Sequence, residues 1–437
     1  MGVQCSTTTT ASEAVRTYTS HKAMTAAQVL GLLEWVPDLS AVTGLRISTR
    51  DNCNPNTCKA ILKKLVAAKK KAKKSMDLTK LVLFGPKIYG SVIAEAIKGG
   101  IGPALTSLTI ADVKTTKQTK MSEGCVLDLL RTCSRLQELV MPQTLVVEKS
   151  TLRAHLAALS AARSGATTLL RVLDMSGSTW GADRMRFAEI ADIGKYAPEL
   201  EVLQLEMATG IPTVSADNQA AGIPTVVAEY EGVFLREPMK ELPRLREFGL
   251  ESVVQRYVFG AAPRNATTAT VNRILSWLLA GMPKVESFAF GHGESQMSNK
   301  DAKIYKTPSL PGIGGDDAAA LHWPATLKDL RLDTLVLEKD AFKSVQLPAL
   351  ETFFLKGAGP HMEEIVRGMK ATHNHLTLGI CRVTSTYYSD YNKRNNYLHG
   401  ACLTSMTLPH LFDPRRPHMV YMPVFDEDGE DTGDDSD

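Results

Sequence analysis

Apolar residues recur along this chain in the pattern Leu-x-x-Leu-x-Leu, where other apolar side chains also occupy the leucine positions. Clear copies begin at Leu170, Leu200, Leu245, Leu327 and Leu350. Apolar residues at alternate positions are typical of a β-strand that is buried on one side. The pattern therefore predicts a series of similar short strands.

The segments between these copies carry apolar residues at helical spacing. Leu152, Leu156 and Leu159, for example, share one face of a predicted amphipathic helix. Prolines such as Pro198 and Pro243 stand just before the next copy, where they end the helix. A unit that recurs at a spacing of tens of residues predicts a repeat architecture.

A strand followed by a helix, repeated about a dozen times over residues 28–411, resembles the leucine-rich repeat family and its long-repeat, ribonuclease-inhibitor-like branch. The resemblance implies an α/β solenoid, an irregular horseshoe with a parallel β-sheet on its concave face and helices on its convex face. The asparagine or cysteine that the family uses in its turns is replaced by residues such as Ser178, Ala208 and Val253, whereas Cys381 conforms. We therefore expect distorted turns.

The chain is predicted to contain one repeat domain, residues 28–425, between two disordered ends. Residues 1–27 are rich in Ser and Thr, and residues 426–437 form an acidic tail. Long loops in a compact scaffold are either functional or disordered. Three insertions break the period, at residues 207–226, 291–317 and 384–400.

Charge is distributed unevenly along the chain. The 437 residues carry a formal net charge of +3, yet the last twelve hold eight acids and no base. The rest of the chain therefore carries eight more positive charges than the whole, +11. Such a tail can shield a basic surface or recruit a basic partner.

The segment Cys58 to Lys74 forms a candidate basic patch, because it contains many lysines and no acid. Its positive potential suits anionic lipid, RNA or a nuclear import receptor. The alternative is a repeat helix with a solvated lysine side, since Ile61, Leu62 and Leu65 lie at helical spacing. The patch consists of Lys63, Lys64, Lys69, Lys70, Lys71, Lys73 and Lys74.

The first residues match a lipidation pattern. Gly2 follows the initiator methionine and Ser6 stands at the sixth place, as N-myristoylation requires, and Cys5 is placed for palmitoylation. A single myristoyl chain binds membranes only marginally, so a second signal is needed. The alternative is an ordinary N-terminal segment. We expect a cytoplasmic protein, tethered to a membrane if it is acylated, with the nucleus as the alternative.

The residues between the buried leucines form a candidate partner-binding surface, because they lie on the other face of the predicted strands. Many are acidic, and strands stacked in register would align them in a negative stripe that suits a protein with a basic surface. The alternative is that solvent-facing strand positions are simply polar. The candidates are Glu138, Asp174, Gln204, Glu206, Glu247, Glu251, Asp329, Arg331 and Asp333.

The sequence offers no pattern for catalysis. It contains neither a phosphate-binding Gly-x-x-x-x-Gly-Lys-Ser/Thr motif nor a Gly-x-Ser-x-Gly nucleophile motif. His373 and His375 could form a metal pair but have no evident third ligand, and the seven cysteines lack zinc-site spacing. We therefore expect no enzyme, no cofactor and no metal, unless the insertions hold an active site. Nucleic acid is not a favoured partner, since only the tyrosine-rich segment 384–400 offers stacking rings beside basic residues.

The leading hypothesis is a non-enzymatic scaffold that binds another protein through its concave face and loops. Repeats followed by an acidic tail also resemble the proteins that activate the GTPase Ran, which implies a regulator of a small GTPase as the alternative. Single-turnover GTP hydrolysis separates the two, because a scaffold leaves its rate unchanged. A ubiquitin-ligase subunit would need a helical F-box-like module, for which residues 24–37 are too short.

Overall fold

One β-sheet of 14 strands runs through the part of the chain that this computed structural model describes. The described residues are 2–9, 12–19, 31, 38–48, 55–73, 77–85, 88–111, 123–141, 152–175, 187–206, 239–251, 268–291, 312–313, 321–337, 341–342, 347–358, 365, 368–369 and 377–382.

From the third strand onward the sheet is parallel, and its strands follow one another in chain order. The exception is a two-residue strand, β11, which pairs with the far end of β12. The strands are β3 (Val42–Ser48), β4 (Lys80–Phe84), β5 (Ser107–Ala111), β6 (Glu138–Val140), β7 (Val172–Met175), β8 (Val202–Glu206), β9 (Glu247–Glu251), β10 (Ser287–Gly291), β11 (Gly312–Ile313), β12 (Asp329–Leu337), β13 (Thr352–Ala358) and β14 (Thr377–Arg382).

The first two strands form an antiparallel hairpin where a disordered terminus is expected. Strands β1 (Gly2–Thr9) and β2 (Ser12–Thr19) pair with each other, and β1 also pairs antiparallel with β3. These strands are rich in threonine and valine, whose branched side chains favour extended backbone. Residues 2–9 and 12–19 therefore form β-strands, whereas the sequence predicts disorder for them.

The helices form a layer in which neighbours along the chain pack together. Contacts join α1 to α2, α2 to α3, α3 to α4 and α4 to α5. In α4 the predicted apolar face is confirmed, since Leu152, Leu156 and Leu159 are buried. The helices are α1 (Pro55–Lys71), α2 (Gly90–Lys98), α3 (Glu123–Leu130), α4 (Leu152–Ala161), α5 (Phe187–Tyr196) and α6 (Thr268–Ala280).

The apolar positions of the repeated pattern form the core between this layer and the sheet. The first position of each copy from Val42 to Leu350 is at most 2% exposed. The fourth position aligns from strand to strand, as in the register of Leu81 with Leu108, Leu108 with Leu139 and Leu139 with Leu173. The predicted α/β class and its parallel strands are thus confirmed.

Main-chain hydrogen bonds set this register before each strand begins. The carbonyl oxygen of Gln137 accepts from the amides of Arg171 at 2.8 Å and Val172 at 3.0 Å. The same double acceptance recurs at the equivalent carbonyl of the other copies from Thr79 to Lys328. Because these hydrogen bonds join main-chain groups, they can form whatever the side chains at these positions are.

Aromatic rings fill the core of the later strands, where phenylalanine takes the place of leucine. The ring of Phe288 stacks on Phe248 with centroids 5.3 Å apart, and it meets Trp323 edge to face at 5.9 Å. Phe342 stacks on Trp323 and contacts Phe353. The larger side chains thus form one continuous aromatic cluster between β9 and β13.

Replacing Gly194 by alanine is expected to destabilise the protein by about 1–3 kcal/mol. A Cβ atom there would lie 2.7 Å from the carbonyl oxygen of Lys240 and 2.9 Å from that of Glu241, so backbone would have to move. Gly124, in α3, is the matched control because a Cβ there meets nothing within 4 Å. Gly124→Ala should stabilise by about 0.4–1 kcal/mol. Thermal unfolding of both variants tests this, and two shifts of the same sign would contradict it.

Several sequence predictions concern residues outside the described part of the chain. They include most of the three insertions, the acidic tail, Lys74, His373 and His375.

Candidate functional site

The face of the sheet opposite the helix layer, called the open face below, carries the side chains that alternate with the buried ones. In β4, for example, Leu81 and Leu83 are buried, whereas Lys80 is exposed and Val82 is half-buried. In the described residues this face therefore retains solvent contact. Its members with described side chains are Arg46, Lys80, Val82, Phe84, Ser107, Thr109, Ala111, Glu138, Val140, Val172, Asp174, Val202, Gln204, Glu247, Gly249, Ser287, Ala289, Asp329, Arg331, Thr352 and Phe354.

Five of the predicted acidic residues fall into two rows across β8 to β12. One row passes from Glu247 through Ser287 to Asp329. The other, four residues further along the strands or about 13 Å away, contains Glu206, Glu251 and Asp333, with Gly291 between the last two. Glu138, on β6, continues the line of the first row but is separated from Glu247 by Val172 and Val202, whereas Asp174, on β7, lies on the line between the two rows. The carboxylates thus form a localised group of positions, with Arg46 and Lys80 at the other end of the face.

Two of the predicted contact residues are buried, which corrects their assignment to the surface. Asp174 is 6% exposed and Gln204 is 2% exposed. The Nε2 atom of Gln204 donates to Oε1 of Glu247 at 3.2 Å. A Cβ atom on Gly249 would lie 1.9 Å from Oε1 of Gln204, so the glycine makes room for this amide. Gln204 therefore supports Glu247 and does not itself offer a free contact.

Arginine side chains lie over phenylalanine rings near both ends of the open face. The guanidinium of Arg331 is 5.2 Å from the ring centroid of Phe354, and that of Arg46 is 6.0 Å from Phe84. These distances are within the range of cation–π attraction. Close to the first pair, the hydroxyl of Thr352 donates to the carboxylate of Asp329. The predicted residues Asp329 and Arg331 are therefore held in place by their neighbours on β13.

Apolar side chains interrupt the polar ones in the middle of the open face. Val140, Val172 and Val202 are half-buried there, and Val172 and Val202 are register partners. Sequence reasoning concentrated on charge and missed them. The alternation of the pattern was a sufficient signal, since a strand residue directly beside a buried leucine must face away from the helices.

A row of alternating charge lies directly before the N-terminal ends of the later strands. It is formed by the second position of each copy from Leu170 to Leu350. Arg171 pairs with Glu201 at 2.6 Å, and Lys328 pairs with Glu286 at 2.8 Å. Hydrogen bonding to Glu286, with the nearby charges of Glu286 and Glu351, raises the pKa of Lys328. The pairs are solvent-exposed, so each contributes little stability. The row is Arg171, Glu201, Arg246, Glu286, Lys328 and Glu351.

The predicted basic patch is smaller in the structure than in the sequence. Lys63, Lys70, Lys71 and Lys73 are exposed, and Lys64 is half-buried. Lys69 is 0% exposed: its Nζ atom donates to the backbone carbonyl of Ser40 at 3.0 Å and to the carboxylate of Asp77. Lys69 therefore does not belong to the patch, because the side chain faces the interior.

The buried Cys133 is poorly suited to nucleophilic chemistry. Burial raises the pKa of the Cys133 thiol to about 12, and its Sγ atom donates to the carbonyl of Leu129 at 3.2 Å. Such a thiol stays protonated near neutral pH and is therefore a poor nucleophile. Within the described residues, no group of three or more His, Cys, Asp and Glu side chains is arranged to hold a metal ion.

The two predicted lipidation residues lie in the N-terminal hairpin. The backbone of Gly2 is in register with Thr19 and Ser48, and that of Cys5 with Arg16 and Leu45. Acylation of either residue stays a prediction. None of the helices in the described ranges combines the length and apolar character that crossing a membrane requires.

No protein-family model matches this sequence, and no curated protein matches it either. Function must therefore be inferred from the geometry of the open face and of α1.

Proposed function

We propose that this protein is a non-enzymatic interaction scaffold, a leucine-rich-repeat-like solenoid that binds a protein partner through its open face. The observation that carries the proposal is that the described helices cover only one face of a long parallel sheet. Parallel sheets in proteins usually have both faces covered. Here the described helices pack together in one layer, and half-buried valines remain on the opposite face.

The chemistry of the open face indicates which partner it fits. Val140, Val172 and Val202 provide apolar contact area at the centre. Beside them, the two acidic rows around Glu247 and Glu251 favour a partner that carries basic residues. Complementary charge of this kind increases the rate and the specificity of association more than the affinity. The partner is thus a protein surface with an apolar centre and a basic flank.

Charge reversal on the open face tests this proposal. Partners are captured with the full chain, with a variant carrying Glu206, Glu247, Glu251 and Asp329 changed to Lys, and with an off-face control. The control reverses four acids outside the open face, Glu95, Asp128, Glu199 and Glu241. The specific partner should be recovered at least about tenfold less by the open-face variant, because opposed like charges cost several kcal/mol.

Circular dichroism and thermal unfolding of both variants ensure that loss of binding is not loss of folding. The proposal predicts that the control retains the partner. Equal recovery by the folded open-face variant and the control would refute binding through this face.

A further inference from the structure

We propose that the exposed lysine side of α1 is a docking surface for the acidic tail of the same chain, residues 426–437. This lysine face is defined by Lys63, Lys70 and Lys71 on α1 and by Lys73 in the turn that follows the helix. It lies on the helix layer, away from the open face, so the inference does not depend on the proposed partner-binding function.

The lysine face is one side of an amphipathic helix. Lys63, Ala67, Lys70 and Lys71 are exposed at spacings of three and four residues, which places them along one side. Their span corresponds to about 12 Å of helix length. On the other side, apolar residues such as Ile61 and Leu65 are buried. The charges are thus presented together on a rigid support.

These lysines form no ion pair with the described residues, whereas several other basic residues do. Helix α1 contains no acid at all, and Asp77 is already bound by Lys69. Among the described residues, Lys63, Lys70, Lys71 and Lys73 make no ion pair. By contrast, Arg131, Arg153, Arg171, Arg244 and Lys328 each pair with an acid. The lysine face is therefore a cluster of uncompensated positive charge on the described surface.

The acidic tail has the complementary charge and enough chain to reach the lysine face. Residues 426–437 hold eight acids and no base. Ten strand-to-strand steps separate β14 from β3, at most about 48 Å. The 44 residues from Arg382 to Asp426 could extend to about 150 Å. Tethering in the same molecule also gives the tail an effective concentration of about the millimolar range.

The composition of the lysine face favours an acidic peptide over other anions. Single-stranded nucleic acid is usually bound by aromatic rings that stack on its bases, and the lysine face contains no aromatic residue. Helices that lie on membranes insert large apolar side chains, whereas the apolar residues of α1 are buried against the core. A flexible acidic chain needs neither feature.

Acetylation of lysines in the full chain, quantified by mass spectrometry, tests the proposal. The comparison variant has all eight tail acids changed to the corresponding amides. At low salt, Lys63, Lys70 and Lys71 should react at least about threefold more slowly in the natural chain, because a tethered acidic segment protects them. The difference should disappear near 1 M salt, where screening is strong. Lys240 and Lys284, exposed and distant from α1, serve as internal controls and should react alike in both chains.

Carbodiimide crosslinking, which joins a lysine directly to a carboxylate, should link the lysine face to residues 426–437. Equal acetylation rates in the two chains would overturn the proposal, as would a slower rate at Lys240 and Lys284 as well. Protection that remains in the amide variant but disappears after nuclease or detergent treatment would assign the face to nucleic acid or lipid and overturn it too. Protection that vanishes on dilution would assign the tail to a second copy and contradict docking within one chain.

Discussion

Replacing Asp77 by alanine is expected to destabilise the protein by about 3 kcal/mol, because it leaves a buried ammonium group without its carboxylate. Lys69 has no solvent exposure, and its Nζ atom donates to Asp77 and to the carbonyl of Ser40. The side chain of Asp77 is 49% exposed, so water reduces the cost from the upper end of the range for fully buried pairs. Urea unfolding followed by circular dichroism measures the effect, and hydrogen exchange should locate it in α1.

Replacing the other partner of this pair, Lys69→Met, is expected to lower the free energy of unfolding by less than Asp77→Ala does. It removes the buried charge, leaves Asp77 in contact with water and leaves the Ser40 carbonyl unpaired, at a cost of about 1–3 kcal/mol. Asp128→Ala is the control for an exposed pair, since Asp128 and Arg131 are both more than half exposed. It should cost under about 1 kcal/mol. A larger loss for Lys69→Met than for Asp77→Ala would show that the buried charge is not the cause.

Replacing Phe288 by alanine is expected to have the largest effect, a loss of about 3–5 kcal/mol. The side chain is 1% exposed, and its ring contacts Phe248, Phe290 and Trp323. Truncation loses the transfer free energy of the ring and opens a cavity between β9 and β12. Because the neighbours are themselves large rings, they cannot collapse easily into the space. Urea unfolding of the full chain gives the magnitude.

Two further variants separate packing from other causes. Phe288→Leu restores the residue type of the repeated pattern and should cost under about 1.5 kcal/mol. Ser287→Ala changes the adjacent, half-buried residue on the open face and should stay within about 0.5 kcal/mol. If Phe288→Ala cost no more than Ser287→Ala, the aromatic cluster would not be a stabilising core.

The core and the strands could be predicted from the sequence because their signals are local. Leu173 and Met175, for example, lie in one short segment, and their alternation with Asp174 specifies which side is buried. The hairpin β1–β2 was missed because its strands lack this alternation of apolar and polar residues. Its main-chain pairing with β3 joins Gly2 to Ser48, a contact that no local pattern reveals.

The candidate site was predicted only in part, because its geometry depends on residues distant in the sequence. The sequence showed that Glu247 and Asp329 occupy outward strand positions, yet only the register of β9, β10 and β12 places them in one row. Gln204 had been expected at the surface, but the space above Gly249, 45 residues later, lets its side chain lie buried. Such neighbours cannot be identified before the strands are paired.

By itself, the sequence determined the class of the fold, the buried positions of each strand and the excess of charge in α1 and the tail, because composition and periodicity act within short segments. Only the tertiary structure decided which charges are accessible. Lys63 and Lys69 look equivalent in the sequence. Only Lys69 is buried, because its Nζ atom donates to Ser40, which precedes α1, and to Asp77, which follows it. A charge remains at the surface when it lacks such buried partners, and the partners are brought together by folding.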